Sequence, residues 1–396
     1  MKQSQHETTS SQQTASEPDE QIYVQGRILT DEPVSEPLAK PERIILDRKT
    51  FVEILDDCLA LEHLEAIRAN VNVVLNALSN PPASPLQPAH GEETVEFRRD
   101  VLSSDLTQIL ETHTLQRTHY YLARLRKGIS EIHTGKINDI NLNRWKEYDN
   151  IITDSLWLMD RRDNTGSHKA WYWGNFIPQI PHQMLLRYTQ RGDWVLDTFS
   201  GSGTTMIECR RLGRNGLGVE LNHQVVTQSR EIVEHEPNPY AIRTEIVQGD
   251  STTLDYEHLL ETQNLTQVQL LIMHPPYHDI IRFSNNERDL SNATSLEAFV
   301  SGFAQIVKRT YPILEKGRYL VVVIGDKYVK GEWIPLGFHL MQAAIEQGYQ
   351  LKSIIVKNFD ETRAKREQKA LWRYRALVGG FYVFKHEYIL LLKKTH

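Results

Sequence analysis

From Trp171 onward the chain alternates between two textures, and this alternation limits its fold more than any other feature. Short apolar runs rich in β-branched residues lie at 194–197, 216–220, 244–248, 267–273, 319–324, 353–356 and 388–392. Segments of helical period lie between them at 204–212, 223–235, 295–314 and 335–347. Strand–helix alternation predicts an α/β domain with a parallel sheet covered by helices on both faces. Ligands of such sheets bind beyond the carboxyl ends of the strands, so the residues at those ends carry the functional argument.

The first strand end reads Asp197-Thr-Phe-Ser-Gly-Ser-Gly-Thr-Thr205. Gly201 and Gly203 permit a tight turn with positive φ and let a ligand approach bare backbone. The N–H groups that open the following helix suit a carboxylate. A dinucleotide fingerprint needs a third glycine at 206, where the chain has Met206, and a phosphate loop needs Gly-Lys-Ser/Thr, which is absent. Glu220 closes the second strand, and Asp250, followed by Ser251, closes the third. A carboxylate at the second strand end can accept both hydroxyls of a ribose, and one at the third can accept from an adenine amine. Together with Asp197, Phe199, Ser200, Ser202 and Thr204, these residues describe a site for an adenosyl group joined to an amino acid.

The fourth run ends in His274-Pro275-Pro276-Tyr277. Two prolines in series end a strand and fix a rigid extended turn. Pro276 has no N–H, so the Pro275 carbonyl is free to accept from a ligand. At this point the sequence resembles the amino-group DNA methyltransferases, which make N4-methylcytosine and N6-methyladenine. Their FxGxG loop matches Phe199-Ser200-Gly201-Ser202-Gly203, and their Asp/Asn/Ser-Pro-Pro-Tyr/Phe turn matches Pro275-Pro276-Tyr277. The stretch from Asn175 through Pro178 and Pro181 to Asp193 is similar to the family's helical motif that holds the methionine end of the cofactor. The resemblance covers about residues 171–394. It implies a seven-stranded Rossmann-like sheet, S-adenosyl-L-methionine as cofactor, and an exocyclic base amine as methyl acceptor. His274 and the Pro275 carbonyl would accept the two N–H groups of that amine and localise its lone pair, and Tyr277 would stack on a base flipped from the duplex. Positioning and preorganised dipoles suffice for such a transfer.

His274 departs from the family's Asp, Asn or Ser. A neutral imidazole accepts one hydrogen bond and a protonated one accepts none, so activity is expected to fall as pH drops through a His pKa near 6.5. C5-cytosine methylation needs a cysteine nucleophile, usually after a proline. The two cysteines, Cys58 and Cys209, follow Asp57 and Glu208, so neither fits. Two readings remain beside the main one: methylation of a guanine amino group in structured RNA, and a non-catalytic adenosyl- or DNA-binding regulator, which the His274 departure keeps open.

Formal net charge is −6, so contact with double-stranded DNA must come from local patches. One such patch is 357–375, which holds seven Lys/Arg and three Asp/Glu with interleaved aromatics. Arg363, Lys365, Arg366, Lys369, Trp372, Arg373 and Arg375 are its candidate contacts, since basic groups meet phosphates and rings stack on bases. The segment 278–292 follows the Pro-Pro turn and can close over a flipped base, with Arg282 and Asn285 as candidate contacts. No His or Cys spacing predicts a metal site. Neither the recognition sequence nor an accompanying restriction endonuclease is encoded in these motifs.

Residues 1–45 are polar, acidic and Pro-interrupted, and composition predicts an irregular or disordered tail. Residues 46–160 read as mainly helical, with apolar periods over 45–78 and 95–132 joined by a Pro-rich linker at 81–93, and show no internal repeat. Their role is either recognition or packing. The methyltransferase domain is expected over 161–396. Two unpaired cysteines and no signal-peptide or membrane-spanning stretch lead to the expectation of a cytoplasmic protein.

Overall fold

The computed structural model describes residues 42–79, 93–358 and 369–396. The acidic tail up to residue 41, most of the Pro-rich linker, and Arg363, Lys365 and Arg366 lie outside the described residues.

The N-terminal part is a duplication, contrary to the expectation of no repeat. Strand β1 (Arg43–Asp47) runs directly into α1 (Arg48–Leu59), and a short loop leads to α2 (Leu64–Ser79). Adding 51 to each of these bounds gives β2 (Thr94–Arg98), α3 (Arg99–Leu110) and α4 (Leu115–Ser130). The buried positions repeat at the same offset. Leu46, Phe51, Leu55, Cys58, Val71, Val74 and Leu78 correspond to Phe97, Leu102, Leu106, Ile109, Leu122, Leu125 and Ile129. Even a long-range bond is doubled, since Arg68 donates to the Thr112 carbonyl and His119 meets the Leu61 carbonyl. β1 and β2 pair antiparallel with Ile45 opposite Glu96, which places a local two-fold axis through the ribbon. Its inner face packs on the helices, forming a hydrophobic core separate from that of the sheet. Asp47 caps α1 by accepting the Thr50 N–H at 2.6 Å, as Ser, Thr and Asp caps do.

The rest is a doubly wound α/β unit. An edge strand β3 (Leu156–Trp157) precedes α5 (Gln179–Tyr188), β4 (Trp194–Asp197), α6 (Thr204–Leu212), β5 (Asn215–Glu220), α7 (His223–Glu234), β6 (Thr244–Gln248), α8 (Tyr256–Glu261) and β7 (Val268–Met273). Then come α9 (Leu296–Thr310), β8 (Leu314–Ile324), the hairpin β9 (Lys327–Val329) and β10 (Glu332–Ile334), α10 (Leu336–Glu346), β11 (Tyr349–Asn358), α11 (Lys369–Gly379) and β12 (His386–Lys394). The sheet order is β3-β11-β12-β8-β7-β4-β5-β6. β12 runs antiparallel to both neighbours, and the β4, β5, β6, β7 and β8 pairings are parallel. The seven expected strands are all present. The two-residue β3 adds an eighth, so the sheet starts ahead of residue 161.

Phe299 and Phe303 on α9 are fully buried against Leu271, Met273 and Leu320 on one face of the sheet. Burying each such ring contributes roughly 1.5–3 kcal/mol. The other face is covered by α5 through Ile180 and Met184. The strand order reverses between β4 and β7, so the connections leaving their carboxyl ends part to opposite sides and open a crevice there.

Candidate active site

The crevice is walled by residues from the ends of β4, β5, β6 and β7 together with the segments at 172–176 and 280–290. The Gly-rich turn forms its floor. Asp197, only 1% exposed, accepts the Phe199 N–H at 2.9 Å and the Thr205 hydroxyl at 2.5 Å. Burial pushes its carboxyl up to about 6 despite these bonds. Asp197 therefore ties the turn together from behind and does not reach the cavity wall. Gly201 has φ of 50° and donates its N–H to Glu220 Oε2 at 3.1 Å. Gly203 has φ of 80°, and a Cβ there would sit 2.7 Å from Val233 Cγ2. Both positions thus require glycine.

Phe199, Ser200, Gly201, Thr204, Glu220, Asp250 and Ser251 line the cavity as a group. Glu220 accepts from Gly201 and from the Asn222 N–H at 2.8 Å, and burial raises its pKa. Asp250 uses one oxygen for Thr252, while the other makes no hydrogen bond and lies 3.9 Å from the Arg288 guanidinium. Ser200 Oγ, Thr198 Oγ1 and Asn175 Nδ2 are buried with no hydrogen-bond partner, and these residues line the same cavity. Buried polar atoms are normally satisfied, so three unpartnered ones around one crevice fit a polar ligand there. Donors and acceptors for an adenosyl amino acid are in place. Of the other residues expected to hold it, Ser202 and Gly203 shape the turn, and Pro178 and Pro181 are buried in and before α5. Asn175 and Phe176, just ahead of α5, form the wall instead.

The end of β7 delivers His274, Pro275, Pro276 and Tyr277 to the opposite wall. Phe176 packs edge-on against the imidazole with centroids 4.9 Å apart. Burial beside Lys357 lowers the His274 pKa to about 4, and the negative charge of Glu387 only partly opposes this. The expected titration near 6.5 is therefore corrected: this imidazole is neutral throughout the physiological range. No hydrogen bond among the described residues uses the Pro275 carbonyl oxygen. The Tyr277 hydroxyl donates to Glu387 Oε2 at 2.9 Å. Glu387 lines the cavity from β12.

The segment after the turn folds over the cavity as a roof. Asp289 organises it by accepting from Ser284 and Ser291, and Phe283 stacks on Tyr172 at 5.8 Å. Ile281, Phe283, Ser284, Arg288 and Leu290 line the cavity. Arg282 and Asn285 are exposed and do not line it. On α11, Arg373 and Arg375 are exposed, and the Arg375 guanidinium lies over the Trp372 ring at 4.7 Å. Asp163, His168 and Glu208 bring ligand-type atoms within 4.8 Å of one another. Arg211 sits 3.3 Å from Asp163 and 3.4 Å from Glu208, so this cluster already holds a cation of its own.

Residues 114–231 match the sequence pattern of a family described as DNA methylase, of the N6/N4 type. The chain is 41% identical over 51 residues to the type II methyltransferase M.MjaII of Methanocaldococcus jannaschii, covering 13% of this chain and 10% of that protein. It is 35% identical over 81 residues to the type II methyltransferase M.MthZI of Methanothermobacter thermautotrophicus, covering 20% and 22%. Against M2.DpnII of Streptococcus pneumoniae, also a type II methyltransferase, it is 30% identical over 106 residues, covering 25% and 40%. The chain thus spans well under half the length of these relatives.

Proposed function

We propose that this chain is an S-adenosylmethionine-dependent methyltransferase acting on an exocyclic amine of a base in double-stranded DNA, N4 of cytosine or N6 of adenine. One observation carries the reading: the His274–Tyr277 turn, with a neutral imidazole and a free Pro275 carbonyl, faces the same crevice as three unpartnered polar atoms and the Asp250 carboxylate. The matched methylase pattern and the type II methyltransferase relatives support it. S-adenosylmethionine, when bound, supplies an electrophilic methyl on a cationic sulfur. Glu220 would hold the ribose hydroxyls, Asp250 the adenine amine, and the turn at 199–204 the amino-acid end. His274 and the Pro275 oxygen accept the two N–H groups of the target amine, which concentrates its lone pair toward the methyl. The roof at 280–290 excludes water from the transfer.

The test is labelled methyl transfer to mixed duplex DNA, with structured RNA as the comparison. Transfer to DNA that is lost in His274→Ala supports the reading. Transfer to RNA alone, or cofactor binding without transfer to either, refutes it.

Sequence recognition is assigned to the duplicated unit, with α11 and its basic flank supplying phosphate contact. The observation in favour is the ribbon, whose outer face exposes Arg43, Ile45, Thr94 and Glu96. A two-stranded ribbon fits a major groove, and ribbons of this kind read bases there. Arg43→Ala with Thr94→Ala should relax the methylated sequence while cofactor affinity is kept. An unchanged methylation pattern refutes the assignment.

A further inference from the structure

His274 stands where the resemblance calls for a short polar acceptor, and an imidazole accepts only at its unprotonated nitrogen. The hydrogen bond made by one ring nitrogen decides the state of the other. Nε2 lies 3.3 Å from the Tyr277 hydroxyl, and that hydroxyl donates its own proton to Glu387 Oε2 at 2.9 Å. A phenol already donating to a carboxylate can only accept from the imidazole, which places the hydrogen on Nε2. The carboxylate is held in turn by Lys357, with Nζ 3.0 Å from Oε1. Lys357 and Glu387 are cross-strand neighbours on β11 and β12, 2% and 3% exposed. Nδ1 remains: no described residue bonds it, and the ring lines the crevice.

We propose that the chain Lys357–Glu387–Tyr277 locks His274 in the Nε2–H tautomer, so that Nδ1 presents a lone pair to the target amine. Tyr277 and Glu387 are then positioning residues for the acceptor. The inference rests on the methyltransferase reading above. It explains how a histidine can serve at this position: the tautomer is set by a buried carboxylate, and the edge of Phe176 fixes the ring plane.

Two readouts test it. The first is the ¹⁵N spectrum of histidine-labelled full-length protein, with the His274 signals identified by their loss in His274→Asn. The Nε2–H tautomer is expected without any substrate, and a mixture of tautomers is expected in Tyr277→Phe, which keeps the ring. An Nδ1–H signal in the unmodified protein overturns the proposal. The second is kinetic. Tyr277→Phe should lower kcat about tenfold with the cofactor KM unchanged, but less than about threefold in a His274→Asn background, whose amide oxygen accepts without help. Equal losses in both backgrounds overturn the proposal. If the tautomer is as expected but no variant transfers methyl to nucleic acid, the methyltransferase reading falls, and the role of Nδ1 with it. That pattern differs from an Nδ1–H signal in an active enzyme.

Discussion

The depressed pKa of His274 makes a prediction about stability as well as rate. The unfolded chain takes up a proton at this ring near 6.5, while the folded chain resists until about 4. Stability from the buried neutral ring is therefore fully present above pH 6.5 and is lost as pH falls toward 4. The full gap of about 2.5 units corresponds to about 3.4 kcal/mol, of which about 2 kcal/mol has gone by pH 5. The ring borders the crevice and solvent reaches part of it, so about 1–2 kcal/mol at pH 5 is the expected loss. His274→Asn removes this titration and leaves every other group. The assay is hydrogen exchange of the buried β4, β7 and β8 amides at pH 7.5 and pH 5, which reports the opening free energy of the α/β unit by itself. The unmodified protein should lose about 1–2 kcal/mol more than the variant between these conditions. Equal losses refute the burial argument. By the same logic methyl transfer should stay flat from about pH 8 to about pH 5.5, since Nδ1 remains unprotonated over that span.

Asp250→Ala should weaken S-adenosylmethionine binding about ten- to a hundredfold by removing a charged acceptor, measured by calorimetry, with the unfolding temperature little changed. Gly203→Ala strains a φ of 80° and drives a Cβ toward Val233; a loss of about 1–3 kcal/mol is expected in chemical denaturation, together with weaker cofactor binding. Leu106→Ala on α3 opens a cavity in the N-terminal core, and a cost of about 2–5 kcal/mol is expected there. Cofactor affinity in that variant should persist, because the sheet has separate cores.

The α/β unit was legible because its signals are local. The run at 194–197 and the helix at 204–212 coincide with β4 and α6, since glycine turns and apolar periods mark their ends. The site was legible as far as it lies on strand ends, at Glu220, Asp250 and 274–277. Glu387 escaped because its meaning comes from Tyr277, 110 residues away, and an acidic residue opening a strand carries no such signal. Asp197 was expected at the wall and instead holds the turn from behind, a distinction that only side-chain direction makes. The duplication was hidden twice. Its strands run into α1 and α3 with no turn residue between, so Ile44 and Leu46 merge with the helical period that follows. Its halves share a burial pattern but few identities, Arg48 with Arg99 and Leu55 with Leu106 among them.

Fusing two βαα halves into one chain frees them from sameness. In a dimer of identical subunits both strands of the central ribbon must carry the same side chains, so the surface is bound to be palindromic. Here Arg43 and Ile45 have Thr94 and Glu96 as their equivalents on the other strand, and each half can change independently. Covalent linkage also removes the dependence on concentration that a two-chain assembly would bring: at any dilution the first half finds the second at the end of its own tether.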